Sequence, residues 1–139
     1  MVRFNLVAPK ILTDEHLNAE NVELQMLQTF IDKYPTGTIP VKYVLGKGHM
    51  SFFRNKPNML LDRIQEVKRE QKARHGINII FSEKYLSEYI PTEDDINLNK
   101  SRITDRLRNP IKKKTPWHYY GEAILDINKF IKEKYGEYK

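Results

Sequence analysis

Three stretches of this chain repeat apolar residues at the period of an α-helix, and no two stretches alternate as paired strands would. Leu17, Leu24, Leu27 and Ile31 fall on one face at spacings of seven, three and four. Thr13 or Asp14 can cap a helix that runs to about residue 33, where Pro35 and Gly37 stop it. Leu60, Ile64 and Val67 mark a second helix, opened by Pro57 at a first-turn position and ended before Gly76. Ile124, Ile127, Phe130 and Ile131 mark a last one, over residues 122–134. Between these, Thr92 followed by Asp95 forms a capping-box pattern, opening a helix that Asn109-Pro110 closes. Residues 36–51, punctuated by glycine and proline, read as loop. Residues 77–81 are β-prone but have no partner, so they read as an extended connector. The expected fold is all-α: one compact domain over residues 1–139, with three to four main helices and long irregular connections.

A chain of 139 residues, 40% of them hydrophobic, is long enough to bury a core without staples. It contains no cysteine, which excludes disulfides, thiolate metal ligands and a catalytic thiol. No apolar run approaches the ~20 residues of a membrane span, and the first residues lack a secretory signal's apolar stretch. A cytoplasmic protein without a membrane partner is expected. The net charge of +6 is unevenly placed. Basic and acidic residues balance at 5 and 5 over residues 1–53 and at 8 and 8 over 54–99, but stand at 11 to 5 over 100–139. Residues 100–114 alone hold Lys100, Arg102, Arg106, Arg108 and the run Lys112-Lys113-Lys114, against Asp105. Such a footprint suits a surface that faces phosphates, and a solvated basic face is the plain alternative.

Catalytic possibilities narrow quickly. His16, His49, His75 and His118 show no helical metal-ligand spacing, so neither a metal nor a cofactor is expected. Gly46-Lys47-Gly48 is too short for a phosphate-binding P-loop, and no Gly-x-Ser-x-Gly occurs. Carboxylates, amines and histidine remain. On the first helix, His16, Glu20 and Glu23 cluster within about 60° beside the apolar stripe. They either pair with basic residues elsewhere or supply acid–base chemistry.

Several blocks together resemble the phage pyrimidine-dimer DNA glycosylase/abasic-site lyase family. The first is Arg3-Phe4-Asn5-Leu6, continued by Asp14-Glu15-His16-Leu17-Asn18-Ala19-Glu20 and Glu23-Leu24. The second is Leu45-Gly46-Lys47-Gly48-His49-Met50-Ser51-Phe52-Phe53. Tyr89-Ile90-Pro91 with Ser101-Arg102 makes the third, and Thr115-Pro116-Trp117 with Tyr119-Tyr120-Gly121 the last. The likeness covers the chain to about residue 124, and residues 126–139 form an extension beyond it.

The resemblance implies a mechanism. The nucleophile in this family is the α-amine exposed when the initiator Met is removed, here that of Val2. It attacks C1′ of the damaged nucleotide, expels the base and leaves an imine, after which β-elimination breaks the 3′ phosphodiester. Glu23 matches the family's catalytic carboxylate, and His16 and Arg3 match residues around the amine and the sugar-phosphate. Arg102 and Arg106 match a basic helix that grips the backbone, and Trp117 an aromatic group near the DNA face. Two departures stand out: Val22 and Met26 occupy positions where the family usually carries phosphate-binding arginines. Lys112, Lys113 and Lys114 are the expected compensation. The implied partner is double-stranded DNA with a damaged base or abasic site, bound by a monomer. A lyase or glycosylase with altered lesion preference, and a non-catalytic DNA-binding relative, are the alternatives.

Overall fold

The computed structural model describes residues 3–75, 89–110 and 116–136. Val2, the extended connector expected at residues 77–81, and Lys112, Lys113 and Lys114 lie outside the described residues. After an extended segment and a 3-10 turn at Pro9–Ile11, five helices follow among the described residues. They are α1 (Asp14–Lys33), α2 (His49–Phe52), α3 (Pro57–Arg74), α4 (Glu93–Arg108) and α5 (Ile127–Tyr135). A small antiparallel hairpin, β1 (His118–Tyr119) and β2 (Glu122–Ala123), lies between α4 and α5, with His118 opposite Ala123. The architecture is all-α, as the periodicity predicts.

The caps explain where the long helices start. The Thr13 hydroxyl accepts from the His16 N–H at the head of α1, and Thr92 and Asp95 complete a reciprocal capping box on α4. Leu17, Leu24 and Leu27 of α1 are buried against Leu60 and Val67 of α3, the most extensive helix pair in the fold. Each such side chain stabilises the fold by roughly 1.5–3 kcal/mol through the apolar area it removes from water. Ile103 and Leu107 of α4 and Phe130 and Ile131 of α5 close the core from the other side. Phe4 extends that core to the N-terminal segment by stacking on Phe53, with ring centroids 4.1 Å apart and planes 8° from parallel.

Two boundaries differ from the sequence reading. The last helix begins at Ile127, capped by Asp126, because residues 118–123 turn back as the hairpin. Tyr120 (φ 51°) and Gly121 (φ 83°) both adopt the left-handed conformation that a tight turn needs. The Asp14 carboxylate holds them there, accepting from Tyr120 N–H at 3.0 Å and Gly121 N–H at 2.8 Å. The expected loop over residues 36–51 also ends early, in α2. Gly48 (φ 93°) makes the entry, and a Cβ there would meet Pro40 Cγ at 3.2 Å. That short turn buries both Phe52 and Phe53.

Candidate active site

Chain termini usually fray because few contacts hold them. Here the segment from Phe4 to Val7 is held by side chains from five directions, although no strand among the described residues pairs with it. Phe4 donates its N–H to His49 Nε2 at 2.9 Å, and its carbonyl accepts from the Tyr43 hydroxyl at 3.3 Å. The Asn5 side-chain amide donates to Glu20 Oε1 at 2.7 Å. Leu6 and Val7 both donate their N–H groups to Asn99 Oδ1, at 2.6 and 3.3 Å, and Asn99 Nδ2 donates to Asn5 Oδ1 at 2.9 Å. Arg63 Nη1 donates to the Val7 carbonyl at 2.5 Å. Buried backbone polar groups must find partners, and these find them in side chains rather than in a ladder. Because trans-linked Cα atoms lie about 3.8 Å apart, this clamp sets where the chain before Arg3 can reach.

The three residues grouped on α1 divide. Glu20, 1% exposed, is embraced by Arg63 through Nε–Oε2 at 2.6 Å and Nη2–Oε1 at 2.9 Å. Together with its bonds to Asn5, this makes Glu20 a fully partnered structural carboxylate. Glu23, one turn on, faces Arg3 at 4.0 Å, beyond hydrogen-bonding range. Arg3 Nε and Glu23 Oε1 are both buried and have no hydrogen-bond partner among the described residues. Burial pushes the Glu23 carboxyl above the usual carboxylate range, and the nearby Arg3 guanidinium offsets part of that rise. His16 sits seven residues before Glu23, about 10 Å along the helix axis. Its ring lies 4.7 Å from Trp117, whose indole N–H donates to the Leu107 carbonyl at 3.2 Å. The structure therefore joins Arg3 with Glu23 and His16 with Trp117, as two neighbouring groups on α1.

Arg102 and Arg106 project from one side of α4, one turn apart. Arg102 and Arg3 line a shallow depression with Asn5, Tyr43, His49 and Asn99. Burial lowers the Arg102 pKa, and the like charges of Arg3 and Arg106 lower it further. The Tyr43 hydroxyl and the Glu23 carboxylate act in the opposite direction. On the flank of Glu23, Val22 and Met26 are more than half exposed, so apolar groups stand where the resemblance leads one to expect cations.

The aromatic pair Tyr119 and Tyr120 belongs to another centre. Both rings lie against the Arg74 guanidinium, at 4.8 and 4.7 Å from their centroids. Arg74 also donates to Asp14 Oδ1 at 2.7 Å, Glu70 Oε2 at 2.9 Å and the Leu12 carbonyl at 2.8 Å. Its hydrogen-bonding capacity is spent inside the fold. His118 likewise ties the hairpin to α1 through its Nδ1 contact with Glu15 Oε2, at 2.6 Å.

His49, Asn99 and Arg63 carry the clamp, and the sequence reading assigned none of them a role. Their partners lie 45, 93 and 43 residues away, beyond any local pattern. Only the block from Leu45 to Phe53 offered a signal, since it placed His49 in a stretch shared with the family.

A family model described as pyrimidine dimer DNA glycosylase matches residues 1–81, more than half of the 139-residue chain. The chain belongs to this family.

Proposed function

We propose that this pyrimidine dimer DNA glycosylase acts through the α-amine of Val2, exposed by removal of Met1, and that it is also an abasic-site lyase. The observation that carries the reading is the clamped N-terminal segment, which delivers Arg3 to within 4.0 Å of a half-buried Glu23, one of whose carboxylate oxygens is buried without a partner among the described residues. An ordinary terminus has no need of so many buried side-chain partners. One whose amine must meet a sugar carbon does, because reacting atoms have to be held about 3–3.5 Å apart.

An α-amine suits the task. With a pKa near ~8, roughly a tenth of it is free base at neutral pH, against well under a thousandth of an unperturbed lysine. The amine nitrogen bonds to C1′ as the glycosidic bond breaks, and the base leaves with that electron pair and takes up a proton. Loss of a proton from nitrogen and opening of the sugar ring give the imine. A base then removes a C2′ proton, the C3′–O bond breaks, and the phosphate leaves. Water hydrolyses the imine and frees the amine. The proton-transfer role proposed for Glu23 draws on its raised pKa, which lets one carboxyl accept and return protons closer to neutrality. Arg3, Arg102 and Arg106 hold phosphates on either side of the lesion.

The exposed Val22 and Met26 support a second reading, in which the preferred substrate is an abasic site or another modified base rather than the dimer. Without cations there, contacts worth about 1–3 kcal/mol each in charge-assisted form are missing around the lesion. Borohydride trapping on abasic duplex and dimer release from ultraviolet-irradiated duplex separate the two. Trapping with release supports the dimer glycosylase, trapping alone the second reading. No trapping overturns both.

A further inference from the structure

Among the clamp's side chains, His49 is the one bonded closest to the chain start. It is 3% exposed and fixed at both ring nitrogens. Nδ1 lies 2.8 Å from the Val44 carbonyl, which can only accept, so Nδ1 carries the proton. That assignment leaves the Nε2 lone pair for the Phe4 N–H at 2.9 Å. The rings of Tyr43 and Phe53 meet the imidazole edge to face, with centroids 5.4 and 5.5 Å away, so it cannot swing. Gly48, in its left-handed conformation, sets the start of the helix that presents it. Only Arg3 separates Phe4 from Val2, so about 7 Å of chain lies between this bond and the amine.

We infer that His49 is a positioning residue for the reaction proposed above, its Nε2 fixing the backbone from which the N-terminal amine projects. The inference rests on the α-amine being the nucleophile. His49 touches neither Glu23 nor the arginines through hydrogen bonds among the described residues, so it works through Phe4. The rest of the clamp holds the Phe4 carbonyl, through Tyr43, and Asn5, Leu6 and Val7, all farther from the amine than the Phe4 N–H. Freeing the Phe4 N–H loosens the backbone two residues from the reacting nitrogen while leaving Arg102 and Arg106 in place on α4. A misplacement of about 1 Å in such a geometry costs on the order of a hundredfold in rate.

The test compares two isosteres in protein whose Met1 has been removed. A glutamine amide reaches as far as Nε2 and can accept from Phe4, whereas an asparagine amide reaches only as far as Nδ1 and can satisfy Val44. Single-turnover borohydride trapping on abasic duplex should slow by about 10- to 100-fold in His49→Asn and by less than about threefold in His49→Gln. The Kd for duplex containing a tetrahydrofuran abasic analogue should change less than about twofold in either. Amide hydrogen exchange in the unmodified protein should show the Phe4 N–H protected by at least about a hundredfold. That measurement decides the matter if His49→Asn does not fold. Equal trapping by His49→Asn and the parent, a glutamine variant as slow as the asparagine one, parallel declines in trapping and binding, or an unprotected Phe4 amide each overturns the inference while the amine mechanism stands. A parent protein trapped through a lysine removes both.

Discussion

Glu20 and Glu23 lie one turn apart on the same helix, and their surroundings are opposites. Around Glu20 every oxygen is taken, by two guanidinium bonds from Arg63 and by the Asn5 amide. Around Glu23 the Arg3 guanidinium stops at 4.0 Å, and one carboxylate oxygen is buried without a partner among the described residues. The same contrast separates the arginines. Arg63 and Arg74 saturate carboxylates and carbonyls inside the fold, whereas Arg3 and Arg102 crowd each other at its edge. A fold satisfies its buried charges wherever stability alone decides. Among the described residues Arg3 Nε and Glu23 Oε1 depart from that rule, and the function proposed above rests on that departure.

Substituting the two glutamates breaks that comparison most sharply. Glu23→Gln keeps shape but removes the base, so lesion excision should fall by about 10²–10⁴-fold with DNA binding intact. Its thermal stability at neutral pH should hold or rise. The folded carboxyl titrates above its unfolded value, so the ionised form is disfavoured by folding, and removing the charge relieves that cost. A plasmid-nicking assay on irradiated DNA, paired with a thermal melt, reads both. Normal nicking would assign the base elsewhere.

Glu20→Gln should do the reverse. It strands the buried Arg63 charge, at a cost of about 3–5 kcal/mol in unfolding free energy, and any drop in activity should follow loss of the fold. Urea denaturation measures it, and a melt unchanged from the parent would show that the pair is not the anchor described above.

The arginine contrast is tested by salt. Arg102→Ala with Arg106→Ala should flatten the dependence of log K on log salt for undamaged duplex by about one unit for each phosphate that is no longer neutralised. Stability should barely change, since neither side chain closes the core. An unaltered slope would turn this face of α4 towards solvent.

A smaller effect concerns pH. Burial lowers the His49 pKa, with the charges of Arg102 and Arg3 acting in the same direction and Val44 and Glu20 opposing. Tyr43 is the other titratable group against the ring, and its own pKa is pushed up by burial. Below about pH 6.5 the unfolded chain takes up a proton that the folded protein refuses, so stability falls as pH drops towards the folded value. His49→Gln should flatten that part of the stability–pH curve by at most one proton. An unchanged curve would mean that another group governs the acid side.

Much of this molecule was legible before its structure. The stripe of Leu17, Leu24 and Leu27, the Thr13 cap and the Thr92–Asp95 box are local patterns, and each appears where local physics puts it. The hairpin was not legible, because Tyr120 adopts its left-handed conformation under a hydrogen bond to Asp14, 106 residues earlier. For the same reason Glu20 and Glu23 looked alike in sequence. Their difference is set by Arg63 and Arg3, one distant along the chain and one held by the clamp. Spacing placed both carboxylates beside the apolar stripe, and tertiary partners decided which one was left incompletely bonded among the described residues.

The most direct measurement is peptide mapping of the borohydride-trapped complex between the processed protein and abasic duplex. The cross-link should fall on the Val2 nitrogen, and it should disappear when that amine is acetylated or when Met1 is retained, since either change removes or displaces the lone pair. A cross-link on Lys10, Lys47 or any other lysine, with Val2 unmodified, would contradict the amine mechanism and leave the clamped terminus without its proposed purpose.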